Sequence, residues 1–131
     1  MMEPLTLIVT ALVAGATAAA KETTGQAIKD AYNGLKALIK RRFQGKPEAE
    51  IALEKHEEKP QVWEKPLQEA LTEVGATEDE EILKAAQEVQ KHVDPKGAAK
   101  GKYNVQFHGK VIAAYTGDHG TLNLTYTEKE D

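Results

Sequence analysis

The residues that could carry covalent chemistry in this chain are few and scattered. Four histidines stand at His56, His92, His108 and His119, and no two of them have the spacing at which paired imidazoles share a metal ion. His119 follows Asp118, but both lie in Gly117-Asp118-His119-Gly120, a turn sequence in which aspartate is favoured for backbone reasons. The chain has no cysteine, which excludes disulfides, thiol catalysis and cysteine-ligated metals and leaves the redox compartment open. No glycine loop for phosphate and no nucleophile elbow occurs. The reading is therefore a protein that is not an enzyme and needs no cofactor. A formal net charge of -4 argues against a general nucleic-acid binder.

What remains is the chemistry of solvation and self-association, and it is concentrated at the two ends. Residues Pro4 to Ala20, PLTLIVTALVAGATAAA, carry no charge. As a helix rising ~1.5 Å per residue the stretch reaches ~25 Å, a little short of the ~30 Å hydrocarbon core of a bilayer. Leu5, Leu7, Ile8, Val9, Leu12 and Val13 crowd its first half, while Ala11, Gly15 and Ala19 put small residues at spacing four. That spacing suits close helix packing in lipid, and equally in a soluble bundle. A helix apolar on all sides must be covered by protein or by lipid. Three readings stay open: the central helix of a bundle, a single-span anchor, or a helix stored in a bundle and released to a membrane. Glu3 and the lack of a leading base speak against a signal peptide.

At the other end, Tyr103, Val105 and Phe107 alternate with Asn104, Gln106 and His108, which is the period of a strand. Gly109 interrupts. Val111 to Tyr115 forms a second apolar run, and Leu122, Leu124 and Tyr126 alternate with Thr121, Asn123 and Thr125. Four of the seven aromatic residues fall between Tyr103 and Tyr126, so this segment is unlike the rest. Proline-free, amide-bearing pieces of this kind can stack in register as cross-β ladders. They can equally form a small native sheet against helices, since an isolated hairpin is marginal in water.

Helical periodicity fills the space between. Ala27, Ile28, Ala31, Leu35, Leu38 and Ile39 mark an apolar stripe in a helix expected from Lys21 to Phe43, with Gly45 and Pro47 as its stop. Lys36, Lys40, Arg41, Arg42 and Lys46 gather near its end, where cations complement the helix dipole or meet anionic headgroups. Pro47 opens a short helix through Glu57, and Pro60 another to Val74 with Pro66 as a kink or restart. Trp63 reads as a core anchor or a lid over the leading helix. Thr77 with Glu80 matches a capping box ahead of the stripe Ile82, Leu83, Ala86, Val89 and Val93, which Pro95 and Gly97 end. The expectation is mainly α: a bundle of four or five helices over residues 1–97, a linker at 98–102, a β-prone hairpin or cross-β motif at 103–126, and an acidic tail at 127–131.

The two ends together resemble a known pairing. Residues 1 to about 97 resemble the bacterial Bell domain, a relative of the fungal HeLo-like and other four-helix membrane-disrupting cell-death domains. YNVQFHGKVIAAYTGDHGTLNLTY, residues 103–126, looks like a bacterial amyloid signalling motif similar to the RIP homotypic interaction motif. The resemblance implies a cytoplasmic effector that moves to the inner membrane when activated. A nucleotide-binding receptor with a matching motif would template its tail, and the crowded chains would assemble as homo-oligomers or fibrils and insert their leading helices into lipid. The inserting residues would be Leu5, Leu7, Ile8, Val9, Leu12, Val13 and Gly15. The motif residues would be Val105, Gln106, Gly109, Val111, Ile112, Tyr115, Gly117, Asp118, Leu122 and Leu124. The rival expectation is an adaptor: a helical interaction protein with an ordered C-terminal sheet that never meets lipid.

Overall fold

The computed structural model describes residues 2–113. They form α1 (Pro4–Ala19), α2 (Gln26–Arg42), α3 (Pro47–Glu58), α4 (Pro60–Glu73), a 3-10 turn (Ala76–Glu78), α5 (Glu80–Val93), a short α6 (Pro95–Ala99) and the strands β1 (Val105–Phe107) and β2 (Lys110–Ile112). The fold is mainly α, with five longer helices and a two-stranded antiparallel hairpin, as the sequence pattern leads one to expect. α1 lies at the centre, packed chiefly on α5 and α2 and also touching α4 and α3.

The leading stretch and the second helix are separate. Ala20 ends α1, the Lys21 N–H returns to the Ala18 carbonyl, and the Thr24 hydroxyl donates to that same carbonyl. The hydroxyl satisfies one of the carbonyls that a helix end leaves without an intrahelical donor. α2 therefore starts at Gln26 rather than Lys21, behind an extended Gly25.

Prolines open α3 and α4 at positions where an N–H is not needed. Pro66 sits inside α4 without breaking it. The carbonyl that loses its usual i+4 donor belongs to Val62, an exposed residue.

The start of α5 differs from the capping box expected at Thr77. Gly75, at φ 75°, turns the chain out of α4, and Ala76–Glu78 take a 3-10 turn. Asp79 is the cap: its carboxylate accepts from the N–H groups of Glu81 at 3.0 Å and Ile82 at 3.4 Å. Residues past Val93 do not simply stop either. Asp94 caps α6 by accepting from the Gly97 N–H, with Pro95 in the first position. Residues 98–102 thus hold the end of α6 and a turn.

The hairpin pairs Val105 with Ile112, Gln106 with Val111 and Phe107 with Lys110. His108 at φ 49° and Gly109 at φ 83° form its two-residue loop. Positive φ at both central residues is the type I′ geometry that matches strand twist.

One core unites these elements. Leu7, Ile8 and Leu12 of α1 join Leu35, Ile39 and Phe43, Leu67 and Leu71, and Ile82, Leu83 and Val89. Tyr103, Val105 and Ile112 belong to the same cluster.

Candidate functional site

The candidate site is α1 with its cover. Sixteen residues of α1 include no charged side chain. Leu7 and Ile8 are fully buried, Leu12 is 2% exposed, and Val9 and Ala11 are buried. Leu5 and Val13 are partly buried against the core. Gly15 is buried where α1 crosses α2: a Cβ placed there would stand 2.5 Å from Cδ1 of Tyr32 and 3.2 Å from its Cβ. The small residue is what lets the two backbones approach. Among the described residues, no helix is long and apolar enough to cross a membrane.

Polar contacts pin the cover around that helix. The Tyr32 hydroxyl donates to the Glu57 carboxylate, and Lys36 donates to the same carboxylate at 2.8 Å, so α2 is bolted to α3. Burial pushes the Glu57 carboxyl upward, but hydrogen bonds from Lys36 and Tyr32 and the charges of Lys36 and Lys40 outweigh it and leave it below its ordinary value. Burial, then the bond to Glu57, drives the Tyr32 hydroxyl well above the usual phenol range. On the far side, Arg42 reaches Asp79 at 3.0 Å and the Val74 carbonyl at 3.0 Å, closing the end of α4. Part of the basic cluster is thus consumed in structure.

The described part of the tail is docked on the bundle. Val105 is fully buried and Ile112 is 7% exposed. Gln106 is exposed, Val111 is 50% exposed, and Gly109 sits in the loop. Tyr115, Gly117, Asp118, Leu122 and Leu124 lie outside the described residues. Gln87 of α5 holds the hairpin. Its Nε2 donates to the Tyr103 carbonyl and to the Ile112 carbonyl, both at 2.8 Å and both buried. Tyr103 donates to Asp94 at 2.7 Å; that bond and the Gly97 N–H hold the Asp94 carboxyl below its ordinary value.

Gln87 and Gln90 escape a reading by apolar stripe. Yet Leu83, Gln87 and Gln90 follow one another at spacings of four and three, which places both amides on the buried face of α5. Polar residues on a core face are the available signal, since burial demands partners for them. Trp63 is half-buried and lines a groove between α3 and α4, beside Pro47, Ile51 and Pro66. It is therefore an anchor at that groove. No group of three His, Asp or Glu side chains able to hold a metal ion occurs among the described residues.

Comparison with protein families identifies the chain as a HeLo-like domain, a class associated with cell-death effectors. It belongs to the Het-E N-terminal domain family, whose model matches residues 2–128. The matched range takes in the helices and the hairpin alike. No curated protein and no solved structure matches the chain.

Proposed function

We propose that this protein is a non-enzymatic, membrane-permeabilising cell-death effector, acting in bacterial immunity and switched on when its C-terminal motif assembles. A nucleotide-binding receptor with a matching motif would seed the assembly, and further copies of this chain would extend it. Crowded helical domains would then release α1, and Leu5, Leu7, Ile8, Val9, Leu12, Val13 and Gly15 would meet lipid at the inner membrane.

The observation that carries this reading is the burial of an uncharged helix at the bundle centre, in a chain of a family tied to cell death. Its four large aliphatic side chains at positions 7, 8, 9 and 12 are buried, each worth roughly 1.5–3 kcal/mol. Together they rival the whole stability of a small domain, about 5–15 kcal/mol. Release is therefore rare in a solitary chain. An assembly must supply the bias through contacts made only in the oligomer and a raised local concentration.

Leakage from anionic vesicles tests the reading. Assembled full chain is expected to release trapped dye and dispersed chain is not. Undiminished leakage from a chain lacking residues 1–20 would refute it.

A second reading, an adaptor that binds another protein, is favoured by the docked hairpin. Tyr103, Val105 and Ile112 are buried against helices in the single chain, as an ordered interaction surface would need. Slow amide exchange throughout 103–126 in dilute solution, with no leakage on assembly, would support it.

A further inference from the structure

A groove of about 820 Å³ lies between α3 and α4, with Trp63, Pro66 and Ala70 of α4 and Ile51 of α3 along its apolar floor. Spacings of three and four put Trp63, Pro66, Ala70 and Glu73 on one face of α4. Residues 63 to 73 cover ~15 Å at ~1.5 Å per residue. Ile51 is 50% exposed, so part of this apolar surface meets water in the single chain. An open apolar trough between two helices is the shape that an amphipathic helix fills.

The rim carries unmatched charge. Glu48 of α3, Glu69 and Glu73 of α4, and Lys46 line the groove, and none of the four makes an ion pair among the described residues. Glu69 and Glu73 stand four apart on α4, where like charges repel. Arg42, which reaches the end of α4, is already held by Asp79 and the Val74 carbonyl. Trp63 has no cation over its ring among the described residues, although an indole face bordered by carboxylates suits one. Three carboxylates against one ammonium, above an apolar floor, call for an occupant that is both positive and apolar.

We propose that the groove docks a basic amphipathic helix of a partner protein, its apolar stripe along Ile51, Trp63 and Pro66 and its arginines or lysines on Glu48, Glu69 and Glu73. The chain's own residues 114–131 do not match that chemistry, since they carry four carboxylate side chains and one lysine. No residue of α1 or of the hairpin lines the groove, so the site stands whether or not either of them moves.

The probe is a helical peptide ~18 Å long, about twelve residues, with leucines along one face, arginines beside them and a fluorophore at one end. Trp63 is the only tryptophan of the chain, so its emission reports the groove while the anisotropy of the fluorophore reports binding anywhere. With the full chain at pH 7 and low salt, both signals are expected to saturate together, with a Kd tighter than about 1 mM. The same peptide with glutamates for arginines is expected to bind at least about tenfold more weakly. So is a shuffled peptide whose leucines no longer share a face. Glu69 and Glu73 are exposed, so the double variant Glu69→Lys, Glu73→Lys is expected to fold, to lose about tenfold in affinity for the arginine peptide and to prefer the glutamate one. No binding by either signal, equal affinity for the shuffled peptide, or a double variant that still prefers arginine would overturn the proposal. Self-association of the free chain that the double variant abolishes would overturn it too, giving the groove to a second copy.

Discussion

The backbone N–H of Met2 donates to the carbonyl of Asn104 across 3.0 Å. It ties the approach to α1 to the residue just before β1, so the first helix and the hairpin begin side by side. A movement of Asn104 would therefore pull on or break the bond at the residue that leads into α1.

Gln87→Leu should loosen that end of the molecule. The side chain donates to two buried carbonyls, Tyr103 and Ile112, and leaving buried acceptors unmet costs about 1–3 kcal/mol. Urea unfolding should show that loss, with faster amide exchange at Val105 and Ile112. Unchanged stability would mean that the amide contributes nothing to docking.

Gly15→Ala should separate α1 from α2. The added Cβ would meet the root of the Tyr32 ring, down to its Cβ at 3.2 Å, and not merely a flexible tip. Overpacking of this kind costs about 1–3 kcal/mol. Chemical denaturation measures it, and a variant as stable as the parent would show that the helices have room to part.

The cap of α5 distinguishes two aspartate and threonine changes. Asp79→Ala removes the acceptor for Glu81 and Ile82 and the partner of Arg42, and should cost about 0.5–2 kcal/mol. Thr77→Ala should cost little. A larger loss from Thr77→Ala would restore the capping box to the position that sequence spacing suggests.

Stability should fall on both sides of a plateau in pH. His56 is depressed in the fold, so below the ordinary value of 6.5 the unfolded chain takes up a proton that the folded chain refuses. Glu57 is also depressed, and its contribution, complete above 4.5, is lost as pH falls below that value. Tyr32 is raised, so its contribution holds below pH 10.0 and is lost as pH rises beyond it. Urea midpoints across pH should show an acid step beginning near 6.5 that His56→Phe removes. Parallel curves for the two proteins would contradict this.

Much of the architecture was legible because period and punctuation agree. The stripe of Ile82, Leu83, Ala86 and Val89 is buried as its spacing indicates, and Pro47 and Pro60 open helices. The alternation of Tyr103 and Val105 against Gln106 matches inward and outward faces. What stayed hidden depends on contacts distant in sequence or on rare dihedral angles. The stop after α1 relies on the Thr24 hydroxyl returning to Ala18. The hairpin loop relies on a histidine at positive φ, which composition does not announce. The partners of Gln87 lie 16 and 25 residues away. At the candidate site, the uncharged run of α1 was plain, but its burial and its close crossing at Tyr32 follow only from the packed bundle.

Environment at α1 tests the central claim most directly. The chain has no cysteine and Thr6 is exposed on α1, so Thr6→Cys can carry a single polarity-sensitive fluorophore. With anionic vesicles present, dispersed protein should report water, and protein assembled through its tail should report hydrocarbon at the moment trapped dye escapes. Leakage with the fluorophore still in water, or the same polar signal in both forms without leakage, would contradict release of α1.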